Sequence, residues 1–226
     1  MKRALRKVFM RARAKVLSAT SDQIGGIVAT ADTVHGWIAG PAARELALAS
    51  YALPQDATIV EVGVFMGRST ILLAGPRRLT GSGIVHSIDP FDGSGDAHSV
   101  PHYISELSMA KVTSIEDAFR RNLTRTKLDQ WVQIHKGTSR MVSANWNKPI
   151  DLLLLDGDHS PEGAREAFES WYPHLKPGGL LVLSNTGERT YSPGHDGNRR
   201  VSLTEVIPPR FHNVRQVDYF MFAEKA

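Results

Sequence analysis

Cysteine is absent from the 226 residues. That excludes disulfides, thiolate metal sites and cysteine nucleophiles, and leaves the redox compartment undecided. Long apolar runs are absent too: nothing approaches the ~20 residues of a membrane-spanning helix. No secretory signal stands at the start, because cations continue through Lys15 where an uninterrupted apolar segment would be needed. The expected location is therefore cytoplasmic. Acid is missing from residues 1–15, which hold Lys2, Arg3, Arg6, Lys7, Arg11, Arg13 and Lys15, so with a net charge of +4 the remaining chain sums to −3. The pI near 9.4 belongs to one terminal segment and not to a groove, and nucleic acid is not the expected partner.

What is present is an ordinary globular composition, 42% hydrophobic and 22% charged, enough for one full core. Leu5, Val8, Phe9, Ala12, Val16 and Leu17 fall at helical spacing among the N-terminal cations. Residues 1–30 thus form a basic helical arm ahead of a single domain over 31–226. Three uses of the arm stay open: packing over a cleft or a second subunit in a homo-oligomer, lying on an anionic membrane (the less favoured), or a solvated tail.

The organising stretch is Thr58–Thr70. Ile59, Val60 and Val62 make a short buried-type strand that runs into Glu61, Gly63, Gly67, Ser69 and Thr70. A strand, a tight turn and a helix are expected. In that reading Gly63 permits the turn, Gly67 permits close approach of another molecule, and Ser69 and Thr70 sit at the helix start. Glu61 points into the crevice where open α/β sheets bind ligands, and an anion there suits hydroxyls or positive charge better than phosphate. A dinucleotide fingerprint is missing, since position 65 is Phe and position 68 is Arg.

Further strands follow in alternation with helices, the pattern of an α/β fold. Ile84–Ile88 ends at Asp89, 26 residues past Gly63, placed to accept hydrogen bonds from a ribose hydroxyl pair or else to shape the turn before Pro90. A helix is expected over Ser114–Leu128, with Ser114 as its cap. Trp131–His135 leads to Gly137, Thr138 and Ser139. Ile150–Leu155 delivers Asp156, Gly157, Asp158 and His159 to the same rim as Glu61 and Asp89. A helix from Pro161 then turns at Lys176–Gly179 into the strand Leu180–Leu183. Residues 91–113 and 186–200 show no sustained period and read as irregular, lid-like insertions on that rim.

Glu-x-Gly-x-x-x-Gly-Arg-Ser-Thr, Leu-Asp-Gly-Asp-His-Ser and Leu-Lys-Pro-Gly-Gly together resemble the motifs of class I S-adenosylmethionine-dependent methyltransferases, in the branch of macrocin-type small-molecule and sugar O-methyltransferases. The resemblance runs, with gaps, from Trp37 to Leu183. It implies a Rossmann-like fold with a mostly parallel seven-stranded sheet, an antiparallel C-terminal strand and helices on both faces. It also implies S-adenosylmethionine as cofactor, with Glu61, Gly63, Phe65, Gly67, Ser69, Thr70, Asp89, Gly137, Thr138, Ser139 and Asp156 as its contacts. The acceptor would be a small molecule touched by Trp37, His102, Tyr103, Tyr191 and His195.

The expected reaction is methyl transfer to a hydroxyl, with His159 as general base oriented by Asp158 or Asp156. Capping of the following helix is the rival role for Asp158-His159. Several members of the resembled family bind a divalent ion through an acidic pair at the end of the fifth strand. Here the pair is Ser184-Asn185, which leaves Asp156 and Asn185 as weak candidate ligands and favours a metal-independent enzyme. The competing class is a non-catalytic protein that keeps the fold as a binding or partner module. No Asn-Pro-Pro-aromatic motif for amino-group methylation follows the fourth strand.

Overall fold

The computed structural model describes residues 21–188 and 191–226. The basic helix expected over residues 1–19 lies outside the described residues, as do two positions of the second lid segment.

Seven strands form one sheet in the order β3-β2-β1-β4-β5-β7-β6. They are β1 (Thr58–Val62), β2 (Ile84–Asp89), β3 (Val132–Lys136), β4 (Ile150–Leu155), β5 (Leu175–Leu183), β6 (Phe211–Val217) and β7 (Phe220–Lys225). The first five pair in parallel, and β7 enters antiparallel between β5 and β6. The chain's direction of travel reverses between β1 and β4, and a crevice opens beyond their carboxyl ends.

The unbroken apolar runs have a simple cause, since both sheet faces are covered. Ile59, Leu152, Leu154 and Val182 point into one core cluster, whereas Val60, Leu153, Leu155 and Leu181 point into the other. The first cluster is roofed by α1 (residues 21–31), α2 (Gly40–Ala52), α3 (Arg68–Thr80) and α5 (Ile115–Thr126). The second is roofed by α7 (Pro161–Trp171) and α8 (Gly197–Thr204). Ile24 and Ile27 of α1 are buried, and a Cβ on Gly75 of α3 would meet Ile27 at 2.9 Å, so the two helices touch there. Two further helices, α4 (Ser99–Met109) and α6 (Ser139–Ser143), stand at the crevice end.

Three stretches differ from the sequence expectations. The segment 91–113 is not irregular throughout, because α4 forms inside it. Asp96 supplies the start, accepting hydrogen bonds from the His98 and Ser99 amides through Oδ1. Only Ser99 of α4 is buried, so there was no apolar period to see. The segment 186–200 likewise gives way to α8 at Gly197. Lys176–Gly179, expected as a turn, is the bulged first half of β5, with the register shifting between Ile150 and Leu152 of its neighbour.

Candidate functional site

A cavity of about 840 Å³ occupies the crevice, walled by the ends of β1, β2 and β4, by the turn after β3, and by both lid segments. Of the residues expected there, Trp37, Gly63, Phe65, Ser69, Asp89, Gly137, Thr138, Ser139, Asp156, Asp158, His159, His102, Tyr103 and His195 all border it, with Asn185. Glu61, Gly67, Thr70 and Tyr191 do not.

The glycine loop owes its residues to internal packing more than to ligand approach. Gly63 (φ 83°) lies against the β4 loop, where a Cβ would fall 2.3 Å from the Asp156 carbonyl oxygen. Gly67 (φ 92°) makes room for Phe119 of α5, 3.0 Å from where its Cβ would be, and not for another molecule. Ser69 and Thr70 do not cap α3. Their hydroxyls donate to Glu61 at 2.5 and 2.7 Å, and Ser87 Oγ of β2 adds a third bond at 3.1 Å. Glu61 is fully buried beneath the crevice floor and does not reach into it. Burial pushes its carboxyl up to about 7, against those three hydroxyls.

Asp89 stands at the rim and braces the loop. Its Oδ2 accepts from the Val64 and Phe65 amides at 2.9 and 3.2 Å, and its Oδ1 from the Phe91 amide at 2.7 Å. Burial still raises its pKa, since the three amides offset only part of the desolvation. Phe65 holds a positive φ of 47°, a strained position for a side-chain-bearing residue, and its ring stacks on Tyr103 at 5.4 Å and tilts against Trp37 at 5.0 Å. The lid helix α4 is thereby docked on the glycine loop.

The family description of the methyltransferase domain matches residues 60–186, more than half of the chain, from the middle of β1 to just past the end of β5. The chain belongs to that family. A 50-residue stretch is 38% identical to demethylmacrocin O-methyltransferase from Streptomyces fradiae; it spans only 22% of this chain and 12% of that enzyme. Among solved structures, the O-methyltransferase from Bacillus cereus in complex with S-adenosylhomocysteine superposes with TM-score 0.61 at 18% identity, over 92% of this chain and 91% of that one. The O-methyltransferase TomG of tomaymycin synthesis from Streptomyces achromogenes, in complex with S-adenosylmethionine, gives 0.59 at 20% identity, over 84% and 82%. At such identities the likeness shows a shared fold.

In this methyltransferase domain the acid–base groups gather opposite the glycine loop. Ser160 Oγ accepts from the Gly163 amide and caps α7, while Asp158 Oδ1 accepts from the Ser160 amide at 2.9 Å, so Asp158 shapes the turn. His159 is buried, with Nε2 3.6 Å from Asp156 Oδ1 and Nδ1 without a partner among the described residues. Burial and the neighbouring His195 hold the imidazole down at about 4. Asp156 is pushed up to about 7 by burial, with Ser184 opposing, although about a quarter of its side chain (26%) remains open to the crevice.

Asp96, which no motif singles out, ties the two lid segments together. Its Oδ1 accepts from His195 Nδ1 at 3.1 Å and its Oδ2 from Ser99 Oγ at 2.6 Å. Burial would raise its carboxyl, but the Ser99 bond and the His195 charge bring the net shift down. His195 Nε2 lies 3.1 Å from the Asn185 amide nitrogen, and its ring packs 4.8 Å from His159 and 4.4 Å from His98. Among the described residues no group of three or more His, Cys, Asp or Glu is arranged to hold a metal ion. None of their helices is long and apolar enough to cross a membrane.

Proposed function

We propose that this methyltransferase domain transfers the methyl group of S-adenosylmethionine to a hydroxyl of a small molecule, with His159 accepting the proton. The carrying observation is the convergence of Asp89, Asp156 and His159, from the ends of β2 and β4, on one cavity within the span that matches the family. The residues suit the donor. Asp89 at the rim is placed for a ribose hydroxyl pair, with Gly137, Thr138 and Ser139 beside it for the base, and Asp156 lines the region where positive charge would lie. Bound there, the donor supplies a methyl already activated on a sulfonium.

The chain's own work is alignment, exclusion of water and proton removal. With its pKa near 4 the His159 ring is neutral at pH 7 and offers a lone pair. The acceptor hydroxyl would give its proton to His159 Nε2 as its oxygen took the methyl carbon, whose bond pair to sulfur would stay with the departing thioether, and Asp156 Oδ1, 3.6 Å from Nε2, would face the new imidazolium. Trp37, Tyr103, His102 and His195 wall the acceptor side.

The test pairs methyl incorporation from labelled S-adenosylmethionine, across a panel of hydroxyl-bearing small molecules, with calorimetry of S-adenosylhomocysteine. His159→Gln should lower turnover by about 10²–10⁴-fold and leave S-adenosylhomocysteine affinity within about twofold. An unaltered rate removes His159 from the mechanism. EDTA should leave turnover unchanged, and inhibition reversed by Mg²⁺ would instead show a metal-assisted reaction.

A further inference from the structure

His98 and His102 border the cavity, but the proton transfer described above uses neither ring. They stand four residues apart in His98-Ser99-Val100-Pro101-His102, where α4 begins. His98 precedes the first residue of the helix yet already has helical angles (φ −80°, ψ −42°), so the i, i+4 relation holds and both side chains rise on one face. Both residues are exposed, and their ring centres lie 4.7 Å apart.

That separation suits a shared metal ion. With a metal–nitrogen bond of about 2.0–2.1 Å and each nitrogen about 1.2 Å from its ring centre, two imidazoles on one ion at angles of ~90–109° have centres about 4.5–5.2 Å apart. Two histidines at this helical spacing are a zinc-holding pattern. An imidazole pair selects ions of the zinc, nickel and copper class, whereas Mg²⁺ and Ca²⁺ demand oxygen ligands. Desolvation, then the neighbouring His195 and His102, lower the His98 pKa against the pull of Asp96, so the ring is neutral at pH 7, the form that ligates.

The described residues add no third ligand. His195 packs 4.4 Å from His98, but its Nδ1 is bonded to Asp96 and its Nε2 to Asn185. Glu106, one turn beyond His102, is paired with His35 Nδ1 at 2.7 Å. Water would fill the remaining positions on an ion.

We propose that His98 and His102 bind one divalent transition-metal ion of the zinc class, and that the ion holds α4 in its helical form at the cavity wall. The chelating spacing exists only while the first turn is wound, so the ion binds the helical state and stabilises it. Little else holds this helix, since Ser99 is its only buried residue. Both ligands come from α4 and not from the strand ends that carry Asp156 and Asn185, and the site requires neither the donor nor the acceptor named above.

Calorimetry of Zn²⁺ on the full chain, after EDTA treatment and dialysis, tests the site. One ion should bind, and His98→Gln or His102→Gln should each weaken it by about tenfold or more, because loss of even an outer-shell partner of a metal ligand costs that much. His212→Gln, which alters the exposed His212–Glu224 pair between β6 and β7, should leave the affinity within about twofold. Zn²⁺ should also slow amide exchange over residues 99–109 in the wild type and not in His98→Gln, and Mg²⁺ should slow it in neither. Unchanged affinity in both α4 variants, or loss of binding in His212→Gln, would put the ion elsewhere and overturn the site. Binding at the pair without slowed exchange would overturn its hold on the helix.

Discussion

Glu61 has no exposed surface and accepts three hydroxyl bonds, so it joins β1, β2 and α3 beneath the site. Glu61→Ala should cost about 3 kcal/mol, or about 6–12 °C in Tm, because three buried hydroxyls lose their acceptor. A loss under about 1 kcal/mol in thermal unfolding would contradict that role. Glu61→Gln isolates the charge. A carboxyl raised to about 7 in the fold favours folding below its unfolded value of 4.5, and that advantage disappears as pH rises through 7. The Tm gap between wild type and Glu61→Gln should therefore narrow from pH 5 to 8. His86 behaves oppositely. Burial, His135 and Lys148 depress it from 6.5 to about 4, so its contribution is full above pH 6.5 and is lost as pH falls toward 4. His86→Gln should flatten the acid side of the Tm profile, and a profile identical to wild type would exclude His86 as its source. At this scale the sequence marked the rim residues Asp89, Asp156 and His159 well, because strand ends are readable from apolar runs. It could not show that Glu61 is sealed, which takes Ser87 of the neighbouring strand 26 residues on, or that Asp96 meets His195, which takes loops 99 residues apart folding onto one another.

Among the elements, β4 was legible to the residue, its four consecutive leucines buried on both faces. α5 was legible through its cap, Ser114 Oγ accepting from the Asp117 amide at 3.1 Å. α4 was not legible, because it lies outside the core and keeps Ile104 and Met109 exposed (64% and 57%). Its anchors are the ring contacts of Tyr103, the His35–Glu106 pair at 2.7 Å and the Asp96 cap. With so little buried apolar surface, α4 should open at lower free energy than α3 or α7. Hydrogen exchange should find amides 99–109 the least protected of the longer helices and slowed by S-adenosylhomocysteine. Protection equal to that of α3 without ligand would refute a mobile lid.

For the whole molecule, the seven-stranded sheet and its antiparallel C-terminal strand agree with what the resemblance implied, whereas the order of the strands came only from the structure. Binding should be felt globally: S-adenosylhomocysteine at ~100 times its Kd should add about 2.7 kcal/mol and raise Tm by roughly 5–10 °C. No shift would mean that the cavity does not take this class of ligand.

The late hairpin also sets a timetable. Asp218 at its turn accepts the Ala42 amide through Oδ2, Tyr219 donates its hydroxyl to the Trp37 carbonyl, and Phe220 lines the cavity beside Tyr219. A nascent chain paused on the ribosome before Asp218 would have β1 through β6 available, and Arg68 to hold Gly36, but would lack the bonds to Ala42 and Trp37. The cavity wall would be completed only once this hairpin had left the exit tunnel, well after the strand ends that define the crevice have been made.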